Sequence, residues 1–284
     1  MLLSYNVGKT TTWVGIVKIL NQIKSITIGS FDGIHLAHQR LISQAEMIVV
    51  IERNSGYLTP GYKRSLYTDT PITFYRFDKI RRLDPTAFVA KLQEDFPQLE
   101  KIIIGYDFHF GRDKSGDAAL LKQLFGGEVQ IVEEIALEGI PIHSKTIKAL
   151  LREGNIHSAN ALLGRAYRID GKIITGQGLG SSSLVPTLNI RTMQYQLPRE
   201  GVYATRTQIG GAWLPSVSFV GHRVSTDGTF AVETHIIGED IGTPDGTVWI
   251  AFVSPVRPNQ KFDSLAALKE QIKRDIQAAQ KVLL

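Results

Sequence analysis

Cysteine is absent from this chain of 284 residues, which excludes disulfide bridges, thiolate nucleophiles and cysteine-held zinc, and permits a reducing compartment. Long apolar runs are missing too: no stretch approaches the roughly 20 residues that a membrane-spanning helix needs. The opening MLLSYNVGKTTTW lacks an apolar core followed by a small-residue cleavage site, so no secretory leader is expected and the chain reads as cytoplasmic. Basic residues exceed acidic ones by 32 to 27, a formal net charge of +5, yet no five-residue basic block occurs. Lys63/Arg64, Lys79/Arg81/Arg82 and Lys269/Lys273/Arg274 are interleaved with acids, and a solvated surface explains most of them. Without basic and aromatic residues gathered on one face, neither nucleic acid nor membrane is an expected partner. A P-loop is lacking as well: Gly8-Lys9-Thr10 looks like the end of one, but Leu3 stands where the pattern requires glycine.

The length favours two domains, each large enough to bury a core, and the texture changes near Asn155, giving expected domains 1–155 and 156–284. In the first, apolar β-rich runs at Ser25–Gly29, Met47–Ile51, Ile72–Phe77, Lys101–Gly105 and Val129–Val132 alternate with helical stretches at Leu36–Ala45, Pro85–Phe96 and Asp117–Phe125. That alternation predicts an α/β domain, a parallel sheet with helices on both faces. Two short helices ending at Gly154 and Gly164 follow. The second half is expected to be all β. Runs at Tyr167–Thr175, Val202–Ile209, Leu214–Val220, Thr229–Ile237 and Thr247–Val253 are separated by Gly210-Gly211, Asp227-Gly228 and Asp245-Gly246, the pattern of a small antiparallel β-barrel. A terminal helix from about Ser264 carries Leu265, Leu268, Ile272 and Ile276 at helical spacing, read as a core-packing stripe.

Two segments look able to carry chemistry. GQGLGSSSLVPTLNI, residues 176–190, sets Gly176, Gly178 and Gly180 at alternate positions, so that successive backbone N–H groups can turn toward one anion. Thr187 and Asn189 then offer two neutral oxygens, which Mg²⁺ accepts when phosphate supplies the rest of its shell. Taken alone, a flexible loop between strands explains the same composition equally well. ITIGSFDGIHLAHQRL, residues 26–41, runs a strand through a glycine-rich turn into a helix with His35 and His38 one turn apart, a pattern suited to phosphate and poor for a metal, since a third ligand is not evident.

FDGIHLAH resembles the FDGxHxGH element of the HxGH nucleotidylyltransferases, and GYDFHFG (residues 105–111) resembles an element of the bacterial FAD synthetase module. PTLN resembles the PTxN motif of riboflavin kinase. With LLGRAY, LPREGVYA, VETH and KFDSLAALKEQIKRD in the expected order, the chain resembles the bifunctional bacterial riboflavin kinase/FAD synthetase family over nearly its whole length. The resemblance implies a Rossmann-like nucleotidylyltransferase domain followed by a kinase barrel. It implies riboflavin, FMN, FAD and ATP as ligands, Mg²⁺ or another divalent ion as cofactor, and a monomer or weak homo-oligomer. For the kinase it implies Gly176, Gly178 and Gly180 on the nucleotide phosphates, Thr187 and Asn189 on the metal, and Glu233 as general base. For the adenylyltransferase it implies His35 and His38 as catalytic residues, Gly29, Phe31, Asp32, Gly33, Ser144 and Lys148 on ATP, and Asp107 and Phe108 near the flavin.

The sequence departs from the family pattern at Leu179 and Leu184 in the glycine-rich loop and at Ala37 in the HxGH element. In the ISSTxIR element His143, Lys145 and Lys148 replace serine, threonine and arginine; lysine keeps the charge but loses the bidentate fork. An alternative therefore stands beside the bifunctional reading: a riboflavin kinase whose amino-terminal domain is weak or inactive.

Overall fold

Runs that are apolar on both faces suit strands covered on both sides, and the computed structural model places them in that way. It describes residues 4–5, 20–52, 57–174, 185–225, 227–239, 241–242 and 244–284, so Gly176, Gly178, Gly180, Leu179 and Leu184 lie outside the described residues. The chain divides into two compact units, Met1–Ser144 and Lys145–Leu284.

The first unit contains β1 (Ser4–Tyr5), β2 (Ser25–Gly29), α1 (Leu36–Ile42), β3 (Met47–Glu52), β4 (Ile72–Arg76), α2 (Phe77–Ile80), α3 (Pro85–Asp95), β5 (Lys101–Gly105), α4 (Ala118–Phe125), β6 (Glu128–Val132) and a two-stranded ribbon of β7 (Ala136–Leu137) and β8 (Ile140–Pro141). The sheet order is β1-β4-β3-β2-β5-β6, with β1 antiparallel to β4 and the other five strands parallel, as expected. Alternate residues serve opposite layers. Ile26, Ile28, Met47, Val49, Ile102 and Ile104 pack against Phe88, Val89, Leu92 and Phe125 of α3 and α4, whereas Ile48, Val50, Ile72 and Phe74 pack against Phe31, Ile34 and Ile42 on the other face. The helices start where side chains satisfy their first N–H groups: Asp84 accepts from Ala87 N at 2.8 Å, and Asp117 from Leu120 N at 2.9 Å.

The second unit takes most of α5 (Ser144–Glu153), then α6 (Ile156–Leu163), β9 (Tyr167–Ile174), β10 (Leu188–Arg191), β11 (Gly201–Ile209), β12 (Ala212–His222), β13 (Phe230–Ile236), β14 (Thr247–Pro258) and α7 (Leu265–Leu283). Six antiparallel strands close a barrel in the order β10-β13-β12-β11-β14-β9. Five were expected; the sixth, β10, begins at Leu188, inside the PTLN segment. Closure removes the exposed edges an open sheet would leave. On the inward face Tyr167, Ile169, Val220, Val232, Ile250 and Phe252 are buried, beside five buried hydroxyl residues. Thr205 bonds Ser216 and Ser218 at 2.8 Å, Thr207 bonds Ser216 at 2.9 Å and Thr234 at 3.0 Å, and Ser218 donates to Thr234 at 2.9 Å. Each of these five hydroxyls thus has a partner, which is the condition for burying it cheaply.

Helix α7 corrects one expectation. Its stripe is not uniformly buried: Leu265 is 52% exposed, whereas Asp275, Ala279 and Leu283 are buried. Arg257, projecting from β14, donates Nε to both Asp275 oxygens at 3.0 Å, so the helix is fixed by its second half. A carboxylate, rather than a further apolar residue, occupies the centre of the contact because Arg257 is there to meet it.

Candidate active sites

In the first unit β2 is central, flanked by β3 and β5, and the strand order reverses at it. Ligands of open parallel sheets bind beyond the carboxyl end of such a strand. The chain leaving Gly29 takes a contorted path, with φ of 46° at Phe31, 97° at Gly33 and 41° at Ile34. Glycine accepts that backbone freely. Phe31 and Ile34 adopt it at a cost of about 1–3 kcal/mol each, offset by burying both side chains under the sheet.

Side chains from residues 57–64 and Ser144 hold this loop. Asp32 Oδ1 accepts the N–H groups of Leu58 (2.8 Å) and Thr59 (3.0 Å), Thr59 Oγ1 accepts from Gly33 N at 2.8 Å, and Ser144 Oγ donates to the Asp32 carbonyl at 2.7 Å. Arg64 is an exception to the solvated surface that explains most of the basic residues. It is fully buried, donating Nε to the Ser30 carbonyl at 3.1 Å and Nη1 to the Gly61 carbonyl at 3.0 Å, with Glu52 Oε1 at 3.4 Å. Burial pushes its pKa down, while Asp32 and Glu52 favour the charged form.

The two histidines meet as their spacing predicts. His35 caps α1, its Nδ1 accepting from His38 N at 3.2 Å, and the two imidazoles stack with centroids 3.5 Å apart. His35 is buried and its acceptor role at Nδ1 puts the ring proton of the neutral form on Nε2. Ala37 lies in the first turn of α1 and is half-buried. In the GYDFHFG element, Asp107 is exposed and Phe108 is half-buried, stacked on Phe110 at 5.8 Å.

His143, standing in place of serine, joins a cluster at the carboxyl end of the sheet. Tyr106 donates to Glu134 at 2.6 Å, and His143 Nε2 lies 3.1 Å from the same carboxylate and 3.3 Å from the Tyr106 hydroxyl. The Tyr106 bond, with that of His143, pushes the Glu134 pKa down, and the Tyr106 phenol is pushed up to about 12 by its hydrogen bond to the carboxylate. Lys145, exposed, and Lys148, half-buried, lie on α5 and belong to the second compact unit.

In the second unit the ladder sets Asn189 of β10 directly opposite Glu233 of β13, so both side chains point to one face. Thr187, two residues before Asn189, lies just outside β10 and is half-buried. Sequence reasoning missed the residue that joins Asn189 to Glu233. Arg223, just past β12, donates Nη2 to Asn189 Oδ1 at 2.6 Å, and Nε and Nη2 to Glu233 Oε1 at 2.9 and 2.6 Å. Its Nη1 donates to Thr229 Oγ1 at 2.9 Å and faces Asp227 at 3.5 Å.

The backbone leading to Arg223 is fixed as well. Gly221 has φ of 146°, and a Cβ there would lie 2.8 Å from Glu200 Oε2. Glycine lets Glu200 approach and accept from His222 N at 3.0 Å and from Asn259 Nδ2 at 3.1 Å, which holds the Glu200 pKa down. A cavity of about 410 Å³ opens here, with Asn189, Arg191, Arg223, Phe230 and Val232 on its wall. That size suits a small-molecule site. Glu233 is not on the wall; it meets the cavity through Arg223.

The donor set tests the expected metal. Thr187 and Asn189 offer neutral oxygens, and among the described residues no group of three or more His, Cys, Asp or Glu side chains could hold an ion unaided. The residues therefore fit a cation carried largely by phosphate. Among the described residues no helix is long and apolar enough to cross a membrane.

A parallel α/β unit with a held loop beyond its central strand, and a six-stranded barrel with a polar clamp at a cavity, define a two-unit protein of the α/β plus β-barrel class. The riboflavin kinase family model matches residues 163–283, and the FAD synthetase model matches residues 69–146, a stretch that includes Asp107, Phe108 and Ser144 but not the loop of residues 29–38. Bifunctional riboflavin kinase/FMN adenylyltransferases from Pseudomonas fluorescens and Buchnera aphidicola are 28% and 29% identical, over 89% and 93% of this chain and 91% and 95% of theirs. A crystal structure described as a macrolide-efflux protein from Streptococcus pneumoniae is similar at a TM-score of 0.80 and 25% identity, covering 92% of this chain and 96% of that one. The chain belongs to the bifunctional riboflavin kinase/FMN adenylyltransferase family.

Proposed function

We propose that the barrel unit phosphorylates riboflavin with ATP to give FMN, and that the α/β unit adenylylates FMN with a second ATP to give FAD. The observation that carries the first half is the placement of Asn189 opposite Glu233, both clamped by Arg223 at the cavity, within the stretch matched by the riboflavin kinase model. In this reading the 5′-hydroxyl oxygen of the ribityl chain attacks the γ-phosphorus, the bond to the β,γ-bridging oxygen breaks, ADP leaves, and Glu233 accepts the hydroxyl proton. Thr187 and Asn189 would hold Mg²⁺ or another divalent ion, whose chemistry is to neutralise charge on the phosphates. Gly176, Gly178 and Gly180 supply backbone N–H groups to the nucleotide.

In the α/β unit a phosphate oxygen of FMN attacks the α-phosphorus of ATP, and pyrophosphate departs. His35 and His38 stabilise the charge on the leaving phosphates, the loop from Gly29 through Phe31, Asp32 and Gly33 shapes their seat with Ser144 behind it, and Asp107 and Phe108 flank the flavin. This assigns domains as a FAD synthetase part over 1–155 and a kinase part over 156–284.

The second reading, a kinase with a weak or inactive adenylyltransferase, is favoured by one observation: His143, where the family has serine, is engaged with Tyr106 and Glu134. Purified protein incubated with riboflavin, ATP and Mg²⁺ separates the readings. FAD among the products supports both activities, FMN alone supports the second reading, and neither product overturns the proposal.

A further inference from the structure

The clamp at the kinase cavity has a chemical consequence for metal binding. Asn189 Oδ1, the oxygen expected to meet a cation, already accepts from Arg223 Nη2 at 2.6 Å. An amide oxygen has two lone pairs, so a second bond remains available, but a dication on that oxygen would sit within a few ångströms of a guanidinium. Glu233 Oε1, on the carboxylate opposite Asn189 in the ladder, accepts two bonds from the same Arg223. Asp227, a further acid facing the guanidinium, lies 3.5 Å from Nη1. A bare divalent ion therefore finds two neutral oxygens, one of them already bonded to Arg223, a carboxylate already committed, and a fixed positive charge.

Phosphate changes that balance. An anionic nucleotide brings its own oxygens to the metal and offers the guanidinium a partner at least as strong as Asn189, since Arg and phosphate form bidentate charge-assisted bonds. Arg223 is on the cavity wall and its backbone is fixed, with its N–H donating to Thr229 O at 2.9 Å and its carbonyl accepting from Gly228 N at 3.1 Å. Only the side chain has to turn. Turning also uncovers Glu233 Oε1, which the clamp withholds from the cavity.

We propose that Arg223 makes the barrel's metal site nucleotide-dependent: it occupies Asn189 and Glu233 in the nucleotide-free protein and moves onto the phosphates when a metal–nucleotide complex enters. Arg223 is a positioning residue for Glu233 and a specificity residue against free cations. The inference rests on the kinase reading above.

The test uses the full chain and direct binding rather than turnover. Mn²⁺ binding is followed by its electron paramagnetic resonance signal, with the metal alone and with ADP, for wild type, Arg223→Gln and Arg223→Lys, each confirmed as folded by circular dichroism. Wild type should ignore free Mn²⁺ and take it up with ADP. Arg223→Gln should bind free Mn²⁺ at least about tenfold more tightly than wild type and Mn²⁺·ADP about tenfold more weakly, with Arg223→Lys between the two. Wild type that binds Mn²⁺·ADP, paired with an Arg223→Gln protein that gains no affinity for free Mn²⁺, overturns this inference and leaves the kinase reading standing. Wild type that binds Mn²⁺ equally with and without ADP overturns it too. Wild type that takes up no Mn²⁺ even with ADP overturns the kinase reading, and this inference with it.

Discussion

The two candidate sites are built in opposite ways. In the barrel, chemistry-bearing side chains are aligned by the ladder: Asn189 and Glu233 face one another because their strands pair in that register, and Arg223 ties them. In the α/β unit the functional shape belongs to the backbone of residues 29–35, and it is held by Asp32, Thr59, Ser144 and Arg64, whose bonds run mostly to main-chain groups. A ladder-built site tolerates change outside its few side chains. A loop-built site depends on every fastening, so the same number of substitutions disturbs it more. The departures from the family pattern at Ala37 and His143 fall in the unit with less tolerance.

That contrast can be broken from either side. Glu233→Gln keeps the side chain's shape and removes the proton acceptor, so FMN formation should fall about 10²–10⁴-fold, the range general-base catalysis commands, while ADP binding is retained; near-normal turnover would remove Glu233 from the mechanism. His38→Ala should lower the rate of FAD formation from FMN by about 10²–10³-fold, as loss of a transition-state donor does, and leave riboflavin phosphorylation as in wild type. A parallel fall in both activities would mean that the units are not chemically independent. Arg64→Met touches no reacting atom in the proposed mechanism, yet it strips partners from the Ser30 and Gly61 carbonyls and removes the guanidinium beside Glu52. Thermal unfolding should show the first unit destabilised by about 2–4 kcal/mol with the barrel's transition unchanged. A protein as stable as wild type would show that the loop needs no such support.

Much of the fold was legible because burial leaves a pattern. Strands covered on both faces read as unbroken apolar runs, such as ITIG and KIIIG, and the hairpin turns of the barrel carry their glycines openly. Strand β10 was not legible, since Leu188–Arg191 is short and half polar, and its proline-led approach looks like loop. Its membership depends on pairing with β9 and β13. The two arginines were hidden for a related reason. Arg64 reaches a carbonyl 34 residues away, and Arg223 meets Asn189 across another 34, separations at which neighbouring sequence carries no signal. Histidine spacing at the start of α1, by contrast, is a local property: it put both imidazoles on one face, where the structure stacks them.

The lopsided anchoring of the terminal helix has a mechanical corollary. With Asp275, Ala279 and Leu283 doing the docking and Leu265 facing solvent, the opening turns of α7 can fray without uncovering the residues that hold the helix to the barrel.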